Sequence, residues 1–284
     1  MASPPTIVDP LTGHTHTIIL LHGRDSEAGE FATEFFECEA TGTEQTLPNL
    51  FPTVRWVFPQ ANLLHSERFG IKMSQWFDMW SVEDQQERTE LQVPGLRSSV
   101  RRIVELIRQE ELLVPRNKVF LGGISQGFAT ALAAFFADGK GGFAGLCGFS
   151  SWLPLANQAS SEIQLVHKEA DQKLAAMQRL YLGDDTQQMS FSSQQLKSTP
   201  ILLEHCRDDD IISVQSGLLL RDFIENLGLS VVVFYEYESG GHWFNEPQGV
   251  DDFVVFLRRD IKSDHTDQGA TNLRDHSNSD QCEE

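Results

Sequence analysis

Short continuous apolar runs alternate along this chain with longer stretches whose apolar positions recur every three to four residues. The runs cover residues 17–21, 54–58, 118–121, 143–149, 201–204 and 231–235. Runs this short, rich in β-branched and aromatic residues, read as buried strands. Between them, the stretch 96–113 places Val100, Ile103, Val104 and Ile107 on one helical face. The stretch 216–226 reads as a second helix, stopped by Gly228. Phe253, Val254, Phe256 and Leu257 mark a last helix with its apolar side on the sheet. Strands alternating with helices predict an α/β fold, with a mostly parallel central sheet and helices on both faces.

Two segments break the alternation. Residues 69–90 contain the block from Met73 to Trp80, too aromatic for an idle loop. Residues 156–195 separate two strands and space Ile163, Val166, His167, Ala170, Leu174, Met177 and Leu180 as a helix would. One or two helices are expected there, as a helical insertion and candidate lid. Residues 1–262 are expected to form a single domain. The remainder, 263–284, carries Asp264, Asp267, Asp275, Asp280, Glu283 and Glu284 against Arg274 and reads as an acidic, disordered tail.

Charge narrows the function classes. With 22 basic against 41 acidic residues the formal net charge is -19, which excludes a nucleic-acid partner and leaves at most transient membrane contact. Cys38, Cys147, Cys206 and Cys282 show neither metal-ligand spacing nor a disulfide framework, and Cys147 reads as a small buried hydrophobe. No secretory signal is visible in residues 1–10, and no apolar stretch is long enough to span a membrane. The expectation is a cytoplasmic protein with no metal and no cofactor.

The chemistry is concentrated in Gly123-Ile124-Ser125-Gln126-Gly127. This G-x-S-x-G pentapeptide ends one apolar run and is followed by helix-compatible residues 130–138, the strand–turn–helix setting of a nucleophile elbow. A turn that sharp needs glycines two before and two after the serine. Ser125 becomes a useful nucleophile only beside a base. In this architecture an acid and then a histidine follow downstream, each after a strand. The acid falls in Cys206-Arg207-Asp208-Asp209-Asp210-Ile211-Ile212, where Asp209, four after His205 and three before Ile212, is favoured and Asp210 is the next candidate. The base is His242, on the turn Ser239-Gly240-Gly241-His242 after the last strand. His22 and His205 are expected to bond loop backbones instead. Oxyanion stabilisation needs two backbone N–H donors. Gln126 supplies one, and Arg24 the other, in a loop where Gly23 permits close approach.

At this point the chain resembles the acyl-protein thioesterase / phospholipase-carboxylesterase group of α/β-hydrolases, in particular its fungal-type members. The resemblance rests on the block from Leu21 to Ser26, Phe58-Pro59-Gln60-Ala61, Ser74-Gln75-Trp76-Phe77-Asp78, the block from Leu121 to Gly127, Ser151-Trp152-Leu153-Pro154, the acidic turn after His205, and Gly241-His242. It implies a serine hydrolase acting through an acyl-enzyme on Ser125. Its substrates would be acylated proteins, lysophospholipids or small esters, and the protein a monomer or weak homodimer. It also implies a Ser125–Asp209–His242 triad, an oxyanion hole at Arg24 and Gln126, and an acyl pocket lined by Trp76, Trp152 and Leu153. Three departures stand out: Cys206-Arg207 where the family usually has Gly-Asp, Phe128 in place of a small residue, and a longer 156–195 segment. A metabolic small-molecule carboxylesterase, or a non-catalytic binding module on the same fold, are the alternatives.

Overall fold

A computed structural model describes residues 3–42, 45–166, 169–183, 190–229 and 232–261. Its main sheet has seven strands. In chain order they are β1 (Thr6–Val8), β2 (His16–Leu21), β3 (Val54–Phe58), β6 (Val119–Ile124), β7 (Gly145–Phe149), β8 (Ile201–Cys206) and β9 (Val232–Tyr237). They lie side by side as β1-β3-β2-β6-β7-β8-β9. Only β1 runs antiparallel to its neighbour; the other pairings are parallel. A separate hairpin pairs β4 (Leu63–Ser66) with β5 (Ile71–Ser74).

The continuous apolar runs have a direct cause. Strands β2, β6, β7 and β8 are buried along their whole length, with helices covering both faces. Successive side chains point to opposite faces. Ile19 and Leu21 therefore enter one core while Ile18 and Leu20 enter another. The first core holds α3 (Thr89–Glu110), α4 (Gln126–Asp138) and α8 (Val214–Asn226). The second holds α1 (Ala28–Glu37) and α9 (Gln248–Leu257). Every residue of α4 is buried, and its five alanines let β6, α3 and α6 (Ala170–Leu182) close around it.

Helix α3 begins at Thr89, earlier than its apolar periodicity indicates. Pro94 and Gly95 disguise its first turns. Gly95 is there for space, since a Cβ on it would sit 2.8 Å from Phe77 Cα. Helix α1 also escapes the pattern, because its apolar side is aromatic: Phe35 stacks on Phe244 at 5.2 Å and Phe31 meets Trp243 edge-on at 6.0 Å.

The segment 156–195 contains α5 (Ala156–Leu165) and α6, and runs into α7 (Ser193–Ser198). Helix α6 packs on α3 and α4. Tyr181 Oη donates to Pro154 O at 2.8 Å and Arg97 Nη2 to Leu180 O at 3.1 Å. The insertion thus thickens the helical layer of the first core. His167, Cys282 and the acidic tail lie outside the described residues. Cys38, Cys147 and Cys206 are buried free thiols. Among the described residues no helix is long and apolar enough to cross a membrane.

Candidate active site

Strand β6 hands over to α4 at Ser125, whose φ of 56° and ψ of -126° are strained for a residue with a side chain. Such a conformation costs about 1–3 kcal/mol and persists only where its surroundings hold it. Here Ser125 N donates to Phe149 O at 2.9 Å, and Ser125 O accepts from Ser151 Oγ at 2.8 Å and Ala129 N at 3.1 Å. The flanking glycines are spatial necessities. A Cβ on Gly123 would sit 2.5 Å from Leu21 O, and one on Gly127 2.2 Å from Leu21 O and 2.5 Å from His22 O. Those carbonyls lie at and just past the end of β2, a strand held between β3 and β6, and cannot step aside. Gly127→Ala is accordingly expected to destabilise the protein by about 3 kcal/mol or more. Thermal unfolding checks this, and a melting temperature equal to wild type would contradict it.

Behind the elbow, the Gln126 side chain is fully buried. Its Oε1 accepts from Trp76 N at 2.8 Å and its Nε2 donates to Phe77 O at 3.0 Å. Trp76 Nε1 donates to His22 O at 2.8 Å. His22 in turn bonds backbone through both ring nitrogens, to Gly23 O at 2.7 Å and Ala61 N at 3.0 Å. Burial pulls its pKa down to about 4, so it stays neutral. Gln126 is the first residue of α4, where a backbone N–H has no partner within the helix. The loop after β2 abuts the serine: a Cβ on Gly23 would lie 3.7 Å from Ser125 Cβ. Arg24 follows, its side chain turned to the hairpin, with Nε donating to Gln75 Oε1 at 3.0 Å and Nη2 to Ser66 Oγ at 3.3 Å.

The three consecutive aspartates are separated by structure. Asp209 is buried, and its Oδ2 accepts from His242 Nδ1 at 2.8 Å. His205 Nε2, 2.7 Å from Ile212 O, is 3.2 Å from the same oxygen. Oδ1 accepts from Ile211 N at 3.0 Å and Ile212 N at 2.8 Å. Burial pushes the Asp209 pKa up, but the bonds from His205, His242 and Ile212 more than reverse this and hold it well below the usual carboxylate range. An ionised carboxylate fixes the imidazole tautomer: Nδ1 carries the proton and Nε2 is left as an acceptor. Asp208 has a separate task, its carboxylate accepting from Gly240 N at 3.2 Å and Gly241 N at 2.9 Å, so it moors the loop that carries His242. Asp210 is exposed.

A cleft of about 310 Å³ brings Ser125 and His242 together. Gly23, Arg24, Asp25 and Ser26 line it. Met79, Val82, Trp152, Ile211 and Ile212 wall one end, and Phe31, Glu34 and Trp243 the other. Of the three expected pocket residues, Trp152 lines this cleft. Trp76 and Leu153 do not: Trp76 is wholly buried against His22, ring centroids 5.2 Å apart, and Leu153 packs into the first core. Further apolar lining comes from Met79, within the aromatic block, from Val82 just after it, and from Ile211 and Ile212, just after Asp209. No described residue of 156–195 lines the cleft. The start of α5 is tied to the segment leading into α3, where Asn157 N donates to Gln86 Oε1 at 3.1 Å and Gln158 Nε2 to Thr89 Oγ1 at 2.6 Å.

Glu204 is a buried group outside this cleft, and neither carboxyl oxygen has a hydrogen-bond partner among the described residues. Burial, then the charge of nearby Asp252, pushes its pKa well up. A raised folded pKa contributes stability that is complete below the unfolded value, near ~4.3, and drains away as pH rises above it. Glu204→Gln, which cannot ionise, is expected to gain about 2–5 °C on wild type between pH 4 and pH 8. Melting curves at the two pH values test this; a difference independent of pH would refute it.

Comparison with known proteins agrees with this architecture. A family profile described as phospholipase/carboxylesterase matches residues 2–185. Acyl-protein thioesterase 1 of Schizosaccharomyces pombe is 32% identical over 226 residues, spanning 78% of this chain and 82% of its own length. Acyl-protein thioesterase 1 of Yarrowia lipolytica is 29% identical over 266 residues, spanning 91% of this chain and 98% of its own. The crystal structure of Zea mays acyl-protein thioesterase 2 matches with a TM-score of 0.65 at 26% identity, covering 90% of this chain and 98% of that one. The Bacillus cereus carboxylesterase, 13% identical with a TM-score of 0.57 over 90% of this chain and 93% of its own, shares the fold. The chain belongs to the phospholipase/carboxylesterase family of α/β-hydrolases. It is a hydrolase of carboxylic esters or thioesters.

Proposed function

We propose that this protein is an acyl-protein thioesterase working through Ser125, His242 and Asp209. His242 Nε2 accepts the proton as Ser125 Oγ attacks the thioester carbonyl. The oxyanion is met by the backbone N–H groups of Arg24 and Gln126. The C–S bond breaks, the imidazolium protonates the departing thiolate, and an acyl-enzyme remains on Oγ. Water, deprotonated by the same Nε2, then releases the carboxylic acid and restores the serine. Asp209 stays ionised throughout and holds the imidazole in its working tautomer.

The observation that carries this reading is the 2.8 Å bond from His242 Nδ1 to a buried, ionised Asp209, made by a histidine that shares one cleft with the strained Ser125. The choice of an S-acyl protein as substrate draws on the fungal relatives, which carry the name acyl-protein thioesterase 1. It also draws on the uncharged end of the cleft, suited to an acyl chain. Purified protein should hydrolyse an S-acyl peptide faster than the matched oxygen ester and should label with a fluorophosphonate. A steep preference for short oxygen esters would move the assignment to a small-molecule carboxylesterase. Failure to label would remove the serine mechanism.

A further inference from the structure

The cleft has two unlike ends, and they belong to opposite faces of the sheet. Met79, Trp152 and Ile212 are members of the first core, with Val82 packed against it. Phe31 is a member of the second, with Trp243 packed against it. The first end carries no charge. At the second, Phe31 and Trp243 meet edge-on, and Glu34 lies one helical turn from Phe31 on the same face of α1. Trp243 is next in chain to His242, so this end adjoins the group that protonates whatever departs.

The charges in the lining do not cancel. The Arg24 guanidinium is drawn to the hairpin, over the Phe69 ring at 5.5 Å, where it feels Asp78 first, then Asp25, with Arg68 opposing. Counted over the lining alone, the charges of Arg24 and Asp25 cancel, which leaves Glu34 as the surplus negative charge. Phe31 is buried and backs the half-buried Trp243, and an indole beside an exposed carboxylate is a surface that holds an ammonium or guanidinium. The whole chain, at -19, attracts cations from a distance.

Resting on the acyl-transfer reading above, we propose that Glu34, with Phe31 and Trp243, selects a cationic leaving group: an S-acyl cysteine flanked by lysine or arginine. The phosphate of an anionic lysophospholipid, whose headgroup carries no ammonium, would meet the same carboxylate with the wrong sign, so the geometry favours a basic peptide over it. Glu34 acts on substrate choice and not on the bond-breaking step.

The test uses S-acyl peptides identical except for two flanking residues, Lys-Lys, Gln-Gln or Glu-Glu, together with a lysophosphatidylglycerol of the same acyl chain. At low salt the wild type should turn over the Lys peptide with a kcat/KM about tenfold above the Glu peptide. Most of the difference should lie in KM and should shrink as salt is added. Glu34→Lys should abolish or invert the preference, and Glu34→Gln should reduce it. Glu30→Gln, equal in net charge to Glu34→Gln but outside the cleft lining, should keep the wild-type ratio. Equal rates on the Lys and Glu peptides, a preference unchanged in Glu34→Lys, or lysophosphatidylglycerol exceeding the Lys peptide would each overturn the proposal. Absence of turnover on the Gln peptide as well would instead strike the Ser125 mechanism, and the proposal with it.

Discussion

Replacing Ser125 with alanine is expected to lower kcat/KM on a thioester by at least about four orders of magnitude and to abolish fluorophosphonate labelling. The fold should survive, since the variant loses one hydroxyl. The contacts that hold the elbow are made by the Ser125 backbone, through Phe149 O, Ala129 N and Ser151 Oγ, and they do not depend on that hydroxyl. A melting curve close to wild type, alongside lost turnover, separates chemistry from stability. Labelling that persisted in the alanine variant would mean that another residue is the nucleophile.

Asp209→Asn carries the second-largest expectation, a fall of about 10³–10⁴ in kcat/KM. Asparagine fits the volume, but an amide can offer its own N–H to Nδ1. The ring would then place its proton on Nε2, where a base must be empty. Neighbouring aspartates provide the contrast. Asp210 is exposed, so Asp210→Asn should stay within about twofold of wild type. Asp208→Asn loosens the mooring of Gly240 and Gly241 and should cost on the order of tenfold, through misplacement of His242. A loss in Asp210→Asn as deep as in Asp209→Asn would reassign the acid.

How much of this the chain discloses in advance depends on whether the cause is local. Strands buried on both faces betray themselves as unbroken apolar runs, so β2, β6, β7 and β8 are legible within a residue or two at most ends, and the less buried β3 and β9 are marked by apolar runs as well. The elbow is legible because two glycines must yield space to the carbonyls of Leu21 and His22. The pairing of His242 with Asp209 follows from chain order and from the step of four after His205. What hides is set by partners distant in sequence. Nothing local distinguishes Trp76, turned inward to His22 O, from Trp152, turned to the cleft. Asp210, the next candidate for the acid, is separated from Asp209 only by its exposure, and Asp208 shows no task of its own until the two glycine N–H groups that need it come into view. Helix α1 shows an aromatic side that only the facing Phe244 and Phe253 explain.

Because each end of the cleft is rooted in its own hydrophobic core, the grip on an incoming chain and the choice of what is let go can drift apart. A change at Val82 or Ile212 propagates into packing that Phe31 and Trp243 never touch. Two such changes, one from each side, should combine without interference. Lineages sharing this scaffold could therefore exchange one preference while inheriting the other intact, with the serine fixed on the ridge between them.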